Sequence, residues 1–310
     1  MTFRESENTL SELNLSEERI RDSGAFPKVI LLDTTNHCNL RCSMCGHRLM
    51  TRKKGTMSMT LFRKIIDEIA EVDPSVRVWM VFFGEALILR YKLLWMILYA
   101  KRKGLTDVVL NTNGNLLDEE MVSGLIESGL DAIYIGIDAF KPETYKKYRV
   151  GGDYNRVVKN VKQMLETKRK MCVPNPRIYV QFVEMEENAN EKDDFVKYWS
   201  DLGAIVKIRP KVSWAGAVEA KNLTSKNRHP CYWAMQCLPI TWDGKAVLCA
   251  VDFDAQFVAG DVNNKSIQSI WLGKHRELRK LHLNCEYDLL PNFCRDCKDW
   301  QAAQASFYGE

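Results

Sequence analysis

The chain has 310 residues, enough for one sizeable core and a smaller module. Its composition, 46% hydrophobic and 27% charged, is that of a globular protein rather than a disordered or fibrous one. The formal charge of +4 is carried by basic residues interleaved with acids, which excludes a concentrated nucleic-acid surface and suits a small polar ligand.

Residues 1–26 read as a polar lead-in with one helix around Leu15 to Asp22 and no apolar core of a secretory signal. From Pro27 to Trp214, strand-like runs at 28–34, 76–83, 106–112, 131–137, 177–183 and 204–208 alternate with amphipathic stretches. Two of these stretches are Thr60 to Glu71, with Leu61, Ile65, Ile66 and Ile69 on one face, and Asp118 to Ser128. Such alternation predicts an α/β fold of βα units around a mostly parallel sheet. The apolar run Leu93 to Ala100 is too short to cross a bilayer, is closed by Lys101, Arg102 and Lys103, and reads as a buried helix face. After Trp214 the pattern changes: Ile240 to Val247 reads as a hairpin turning at Asp243-Gly244, and one helix is expected from near Ser266 to Leu281. The predicted division is 1–26, 27–214 and 215–310, with the boundary inside 213–230. Ten cysteines in a chain of this length read as metal ligands in a reducing cytoplasm, not as a disulfide scaffold.

Cys38, Cys42 and Cys45 place three soft ligands on one short loop directly after the apolar run Val29 to Leu32. Three thiolates suit a [4Fe-4S] cluster with one open iron; His37 or His47 completing a zinc tetrahedron is the alternative. The CxxxCxxC run behind a first strand resembles the radical S-adenosylmethionine (SAM) superfamily. The resemblance implies a partial (β/α)6 TIM-like barrel, a cluster whose open iron is chelated by SAM, and cleavage of SAM to a 5′-deoxyadenosyl radical. Met44 stands where that family commonly has an aromatic residue. Phe83-Gly84-Glu85-Ala86 resembles the Gly-Gly-Glu-Pro motif, which would give Glu85 the SAM amino group, with Gly84 permitting close backbone approach; a solvated turn acid is the alternative. Thr112-Asn113-Gly114 resembles the third-strand Thr-Asn-Gly, so Asn113 shapes the pocket. Ile135-Gly136-Ile137-Asp138 resembles the fourth-strand Ser-x-Asp, with glycine in the serine position, and Asp138 reads either as a hydroxyl ligand or as a helix cap. Gln181 matches a fifth-strand ribose contact, or is a polar residue at a sheet end.

Cys231, Cys249, Cys294 and Cys297 supply four further thiolates, enough for a second [4Fe-4S] cluster or an all-cysteine zinc site. Their order, with Asp252, Gly260-Asp261-Val262 and Ser269-Ile270-Trp271 between them, resembles the SPASM or twitch auxiliary-cluster domains. That makes the C-terminal segment a small Cys-rich α+β domain with one auxiliary [4Fe-4S] cluster. Cys237 is an alternative to Cys231, and Cys172 and Cys285 are expected to be unliganded.

The resemblance is strongest to the family's small alcohol dehydrogenases acting on sugars and aminocyclitols, in which an auxiliary cluster takes the second electron. Modification of a peptide, epimerisation or decarboxylation of a sugar-like substrate, and a non-catalytic electron carrier or zinc scaffold are the competing readings. A flavodoxin or ferredoxin is the expected electron donor. Arg149 and Tyr148 are candidate proton-handling or positioning groups and Glu184 a candidate general base. Lys207, Arg209 and Trp214, with Trp233, are candidate substrate contacts.

Overall fold

A computed structural model of the protein describes residues 24–303. The helix expected at Leu15 to Asp22 lies outside the described residues. Strands β1 (Val29–Leu32), β2 (Arg77–Trp79), β3 (Val108–Thr112), β4 (Ala132–Gly136), β5 (Arg177–Glu184) and β6 (Ile205–Pro210) are parallel neighbours in sequence order. Helices α1 (Met59–Val72), α2 (Tyr91–Arg102), α3 (Glu119–Glu127), α4 (Pro142–Tyr148), α5 (Tyr154–Met171) and α6 (Lys192–Asp201) connect them. This is the partial barrel-like sheet of an α/β fold, and the apolar periodicity of the helices explains it. Leu61, Phe62, Ile65, Ile66 and Ile69 of α1 are all buried, and the Ser58 hydroxyl caps its first turn by accepting from the Leu61 N–H at 3.1 Å. Asp118 does the same for α3, with Glu119 and Glu120 in its first turn complementing the helix dipole. On α2, Leu93, Met96, Ile97 and Ala100 are buried while Trp95 faces outward, 62% exposed, so the apolar run is one stripe rather than a wholly buried segment.

Inward residues of the strands fill the barrel below its mouth. Trp79, Tyr134 and Tyr179 stand side by side, with ring centroids 4.8 and 4.4 Å apart. Strand β2 is shorter than the predicted 76–83, because the chain beyond Met80 leaves the sheet and Phe83 N–H donates to the buried Asp33 carboxylate at 2.8 Å.

The C-terminal segment does not build a sheet of its own. Strand β7 (Cys237–Ile240), preceded by α7 (Tyr232–Gln236), pairs in parallel with β1, and β8 (Lys245–Val247) and β9 (Val258–Asp261) follow antiparallel, giving one nine-stranded sheet in the order β6-β5-β4-β3-β2-β1-β7-β8-β9. The Asp243-Gly244 turn between β7 and β8 is present, with Gly244 at φ +97°. The single helix expected from Ser266 is instead α8 (Ile267–Leu272) and α9 (Lys274–Leu283), broken at Gly273, whose backbone (φ −89°, ψ −120°) is not helical. A last turn, α10 (Asn292–Arg295), carries Cys294. Among the described residues no helix is long and apolar enough to cross a membrane.

Candidate functional site

The cysteine loop leaves β1 at the C-terminal ends of the parallel strands, where catalytic groups of barrels converge. Asn36, fully buried, holds it closed: its Oδ1 accepts from Gly55 N–H at 2.7 Å and its Nδ2 donates to the Lys53 carbonyl at 3.0 Å. The Asn36 carbonyl meets His47 Nε2 at 2.8 Å, so that imidazole is engaged with the loop backbone. Thiol sulfurs accept local backbone N–H groups, Cys38 from Leu40 at 3.5 Å and Cys45 from His47 at 3.4 Å. Burial pushes the Cys38 thiol up to about 11 and the Cys45 thiol to about 12. Sulfurs so placed ionise when a bound cation supplies the charge, and the N–H groups then stabilise the thiolates, a donor set that fits iron coordination. Among the described residues no three His, Cys, Asp or Glu side chains close up as ligands of a single ion would, so the fit rests on this donor chemistry.

Facing the loop is a cleft of about 210 Å³ that is open to solvent. Cys38, Cys42, Met44, Cys45, Gly84, Glu85, Asn113, Asp138, Arg149, Gln181, Arg209 and Trp214 all line it. Glu85 is 1% exposed; its carboxylate accepts from Thr112 Oγ1 at 2.8 Å, Leu87 N–H at 3.1 Å and Asn113 N–H at 2.8 Å. Burial raises its proton affinity against those three donors. It is therefore not a solvated turn acid. Gly84 sits at φ +97°, and a Cβ there would lie 2.5 Å from the Thr35 carbonyl and 2.7 Å from that of His37, so the close approach it permits is to the cysteine loop's own backbone. Asn113 Nδ2 donates to Asn39 Oδ1 at 2.8 Å, tying the third strand to the same loop.

Asp138 is fully buried at φ +61° and caps no helix. One of its oxygens accepts Val183 N–H at 2.8 Å and the other the Arg149 Nε–H at 2.7 Å, with Arg149 Nη2 paired to it as well. The Asp138 carboxylate holds the Arg149 guanidinium firmly protonated despite burial. Gly136 makes this possible, since a Cβ there would lie 2.1 Å from Arg149 Nη2. Deeper along the wall, Gln181 Nε2 donates to Asn111 Oδ1 at 2.8 Å and its Oε1 accepts from Arg209 at 3.0 Å, a polar strip across β3, β5 and β6. Asn111 directly precedes the Thr112-Asn113-Gly114 motif without belonging to it, and its role is found by its inward place in the register.

Three predicted residues, and Trp233, do not line the cleft. Glu184 is half-exposed and paired with Lys192 at 2.9 Å. Tyr148 contributes its carbonyl, which accepts Ser43 N–H at 2.9 Å. Lys207 is buried beside the Tyr134 ring, its ammonium 5.2 Å from the centroid, and desolvation with Arg209 and Arg77 nearby lowers it to about 7. Trp214 walls the cleft and donates from Nε1 to the Met44 carbonyl at 2.8 Å, so Met44 holds that wall through its backbone.

In the C-terminal module, the Cys231 sulfur accepts N–H groups of Trp233 and Ala234, Cys249 that of Val251, and Cys297 that of Asp299 at 3.3 Å. Cys294 Sγ lies 3.5 Å from His282 Nε2 and 3.9 Å from Arg228. Burial raises all four thiols, Cys231 to about 12. Cys237 lies within β7, fully buried in the shared sheet, and Cys172 and Cys285 are exposed. Both cysteine-bearing segments brace the elements that form the cleft. Phe253 and Asp254, shortly after Cys249, meet the extended cysteine loop, where Asp254 accepts Thr51 N–H at 2.6 Å and Arg52 N–H at 3.1 Å. Asp299 accepts Ser213 N–H at 2.5 Å and Ala215 N–H at 2.8 Å, fixing the turn that presents Trp214. No sequence motif marks Phe253, Asp254 or Asp299.

Comparison with known proteins agrees with this layout. The radical SAM superfamily matches residues 32–175 and the SPASM iron-sulfur cluster-binding domain residues 231–298. The tungsten-containing aldehyde ferredoxin oxidoreductase cofactor-modifying protein of Pyrococcus furiosus is 29% identical over 57% of this chain and 49% of its own length. A probable GTP 3′,8-cyclase of Methanococcus maripaludis is 32% identical over 57% of each chain. The chain thus spans about half the length of these curated relatives. Among solved structures, the fold is shared with BtrN in complex with AdoMet and 2-DOIA (TM-score 0.63, 16% identity, 91% of this chain and 96% of that one). It is also shared with Streptococcus suis SuiB bound to precursor peptide SuiA (TM-score 0.67, 11% identity, 88% and 71%). With one match on the parallel barrel and the other on the module that extends it, the chain carries a radical SAM superfamily domain followed by a SPASM-type iron-sulfur cluster-binding domain.

Proposed function

We propose that the protein oxidises a secondary alcohol of a small sugar or aminocyclitol to a ketone, by radical SAM chemistry with one auxiliary [4Fe-4S] cluster. Cys38, Cys42 and Cys45 would hold the cluster, which with SAM and one electron would supply a 5′-deoxyadenosyl radical. Glu85, with three hydrogen bonds accepted, has one oxygen lone pair to spare for the SAM ammonium, and Asn113 and Asp138 fix the backbone around it. The polar strip of Asn111, Gln181 and Arg209 offers donors and acceptors that match ribose and substrate hydroxyls. Phe83 and Trp214, with ring centroids 5.4 Å apart, exclude water from the side next to the cysteine loop. Arg149, kept charged by Asp138, positions groups and does not accept a proton.

The observation that carries this reading is the second thiolate set. Abstraction of hydrogen beside a hydroxyl and loss of the hydroxyl proton leave a ketyl radical, which becomes a ketone only when one more electron departs. A redox-neutral rearrangement needs no such acceptor. Four cysteines, three buried and Cys297 half-buried, all with basic or N–H donors close to sulfur, offer the place for one. The fold shared with a protein crystallised with AdoMet and 2-DOIA is consistent with a small polar substrate. A flavodoxin or ferredoxin would deliver the first electron.

Anaerobic reconstitution tests this. About eight irons per chain are expected, falling to about four in a Cys38/Cys42/Cys45 triple alanine variant together with loss of 5′-deoxyadenosine formation. A panel of sugars and aminocyclitols should yield one product two mass units lighter per 5′-deoxyadenosine. About four irons with one zinc would remove the acceptor and favour redox-neutral epimerisation or decarboxylation. Turnover with peptides alone would select peptide modification.

A further inference from the structure

The Arg149 segment and the middle of the cysteine loop are paired like two short strands. Arg41 N–H donates to the Val150 carbonyl and Ser43 N–H to the Tyr148 carbonyl, both at 2.9 Å, so Cys42 and Arg149 stand opposite each other between the two bonds. Arg149 Nη1 lies 3.8 Å from Cys42 Sγ, while Nε and Nη2 are fixed on the buried carboxylate of Asp138. Asp138 is in turn immobilised by Val183 N–H and, through its carbonyl, by Asn188 Nδ2 at 2.8 Å. The space that the guanidinium occupies exists because residue 136 is glycine: a Cβ there would lie 2.1 Å from Nη2 and 3.0 Å from Cζ. The Arg149 side chain is 15% exposed, so its charge is weakly screened by solvent.

We infer that Arg149 is a positioning residue that sets the electron affinity of the centre held by Cys38, Cys42 and Cys45, its guanidinium donating to the Cys42 thiolate and favouring the reduced, more negative state. Hydrogen bonds to ligand sulfurs and local charge are the levers by which a protein tunes an iron-sulfur centre. Asp138 keeps the donor aimed at sulfur, and Gly136 keeps the path clear. The replacement of serine by glycine in the fourth-strand pattern thus has a physical cause: the side chain there yields its place to Arg149.

The inference rests on the reading that this loop holds an iron-sulfur cluster. That reading is tested separately, by whether the reduced wild type shows a cluster electron paramagnetic resonance signal that the triple alanine variant lacks. Redox titration of that signal is the experiment, with the auxiliary signal as internal reference. In Arg149→Gln, with iron retained, the reduced-to-oxidised ratio at fixed potential should fall at least tenfold, which is 59 mV for one electron. Arg149→Lys, keeping charge but losing the fork, should shift by less. Gly136→Ala, which leaves Arg149 in the sequence and displaces its guanidinium, should shift in the same direction as Arg149→Gln. An unchanged potential in Arg149→Gln or Gly136→Ala with full iron overturns the inference. Loss of the loop's iron in all three variants also overturns it, in favour of a purely structural role.

Discussion

Replacing Glu85 with glutamine separates its two tasks, fastening the strand-end loop and holding an ammonium. In the native site Oε1 accepts from Thr112 Oγ1 at 2.8 Å and Leu87 N–H at 3.1 Å, and Oε2 from Asn113 N–H at 2.8 Å. A glutamine has one acceptor oxygen, so whichever way its amide is turned, its NH2 faces either the Asn113 or the Leu87 backbone N–H. One buried donor is then left unsatisfied, at a cost of about 1–3 kcal/mol, which lowers the melting temperature by several degrees in a chain of this size. The lost charge also removes a charge-assisted hydrogen bond to the SAM amino group. At about 1.5–3 kcal/mol for such a bond, SAM affinity should weaken roughly 10- to 100-fold. Thr112→Val is the comparison: it deletes one of the three loop bonds but keeps the carboxyl group. Calorimetric SAM titration and thermal melts of the anaerobic protein read both effects. Equal SAM affinity in Glu85→Gln, Thr112→Val and wild type would refute the reasoning and leave Glu85 as a loop fastener only.

Cys231→Ala should reduce reconstituted iron from about eight to about four per chain, whereas Cys237→Ala should keep the iron and only loosen the β1–β7 pair, by about 1 kcal/mol for a small cavity; iron analysis and denaturation report the two separately. A Cβ on Gly55 would lie 2.4–2.5 Å from the Trp242 indole, whose Nε1 donates to the Lys53 carbonyl at 3.1 Å. Gly55→Ala should therefore cost about 1–3 kcal/mol by overpacking, and much less when Trp242→Ala is already present. His275 is buried between Trp271 and the Val247 carbonyl, and desolvation lowers it to about 4 from an ordinary 6.5. With the folded value depressed, its stabilising contribution is complete above pH 6.5 and is lost as pH falls toward 4. Between pH 7 and 5 the loss is about 2 kcal/mol, and His275→Gln, whose amide can still donate to Val247, should flatten urea-melt stability over that interval by the same amount.

The residues legible in sequence were those marked by the pattern of a short run of neighbours. Cys38, Cys42 and Cys45 are one loop, Gly84 and Glu85 one strand end, and Asp118 opens the helix that begins one residue later. What sequence hid was long-range. Cys237 to Ile240 is a short buried run that would suit any sheet, and nothing local says that it pairs in parallel with β1. The helix expected from Ser266 ignored Gly273, because the apolar pattern continues on both sides of the break while the chain turns between α8 and α9. Met80 to Phe83 looks like strand by composition, yet the Asp33 carboxylate captures the Phe83 N–H and bends the chain toward the cysteine loop. Arg149 carries no motif that names Cys42 as its neighbour; only the backbone pairing across 107 positions does.

The C-terminal module braces the cleft as well as extending the sheet. From Cys249 the chain runs through Phe253, which would meet a Cβ on Gly46 at 2.9 Å, to Asp254, whose carboxylate holds Thr51 and Arg52. From Cys297 it runs to Asp299, whose carboxylate fixes Ser213 and Ala215 on either side of Trp214, the residue bonded to Met44 within the cysteine loop. Two cysteine-bearing segments of the C-terminal module thus brace the first cysteine loop from opposite directions. Loss of turnover in an auxiliary-cysteine variant therefore has two physical causes, a missing electron acceptor and a loosened cleft. They diverge at the first half-reaction: a missing acceptor leaves SAM affinity and the loop's iron intact, whereas a loosened cleft weakens both, because Trp214 and Asp254 lose the segments that hold them.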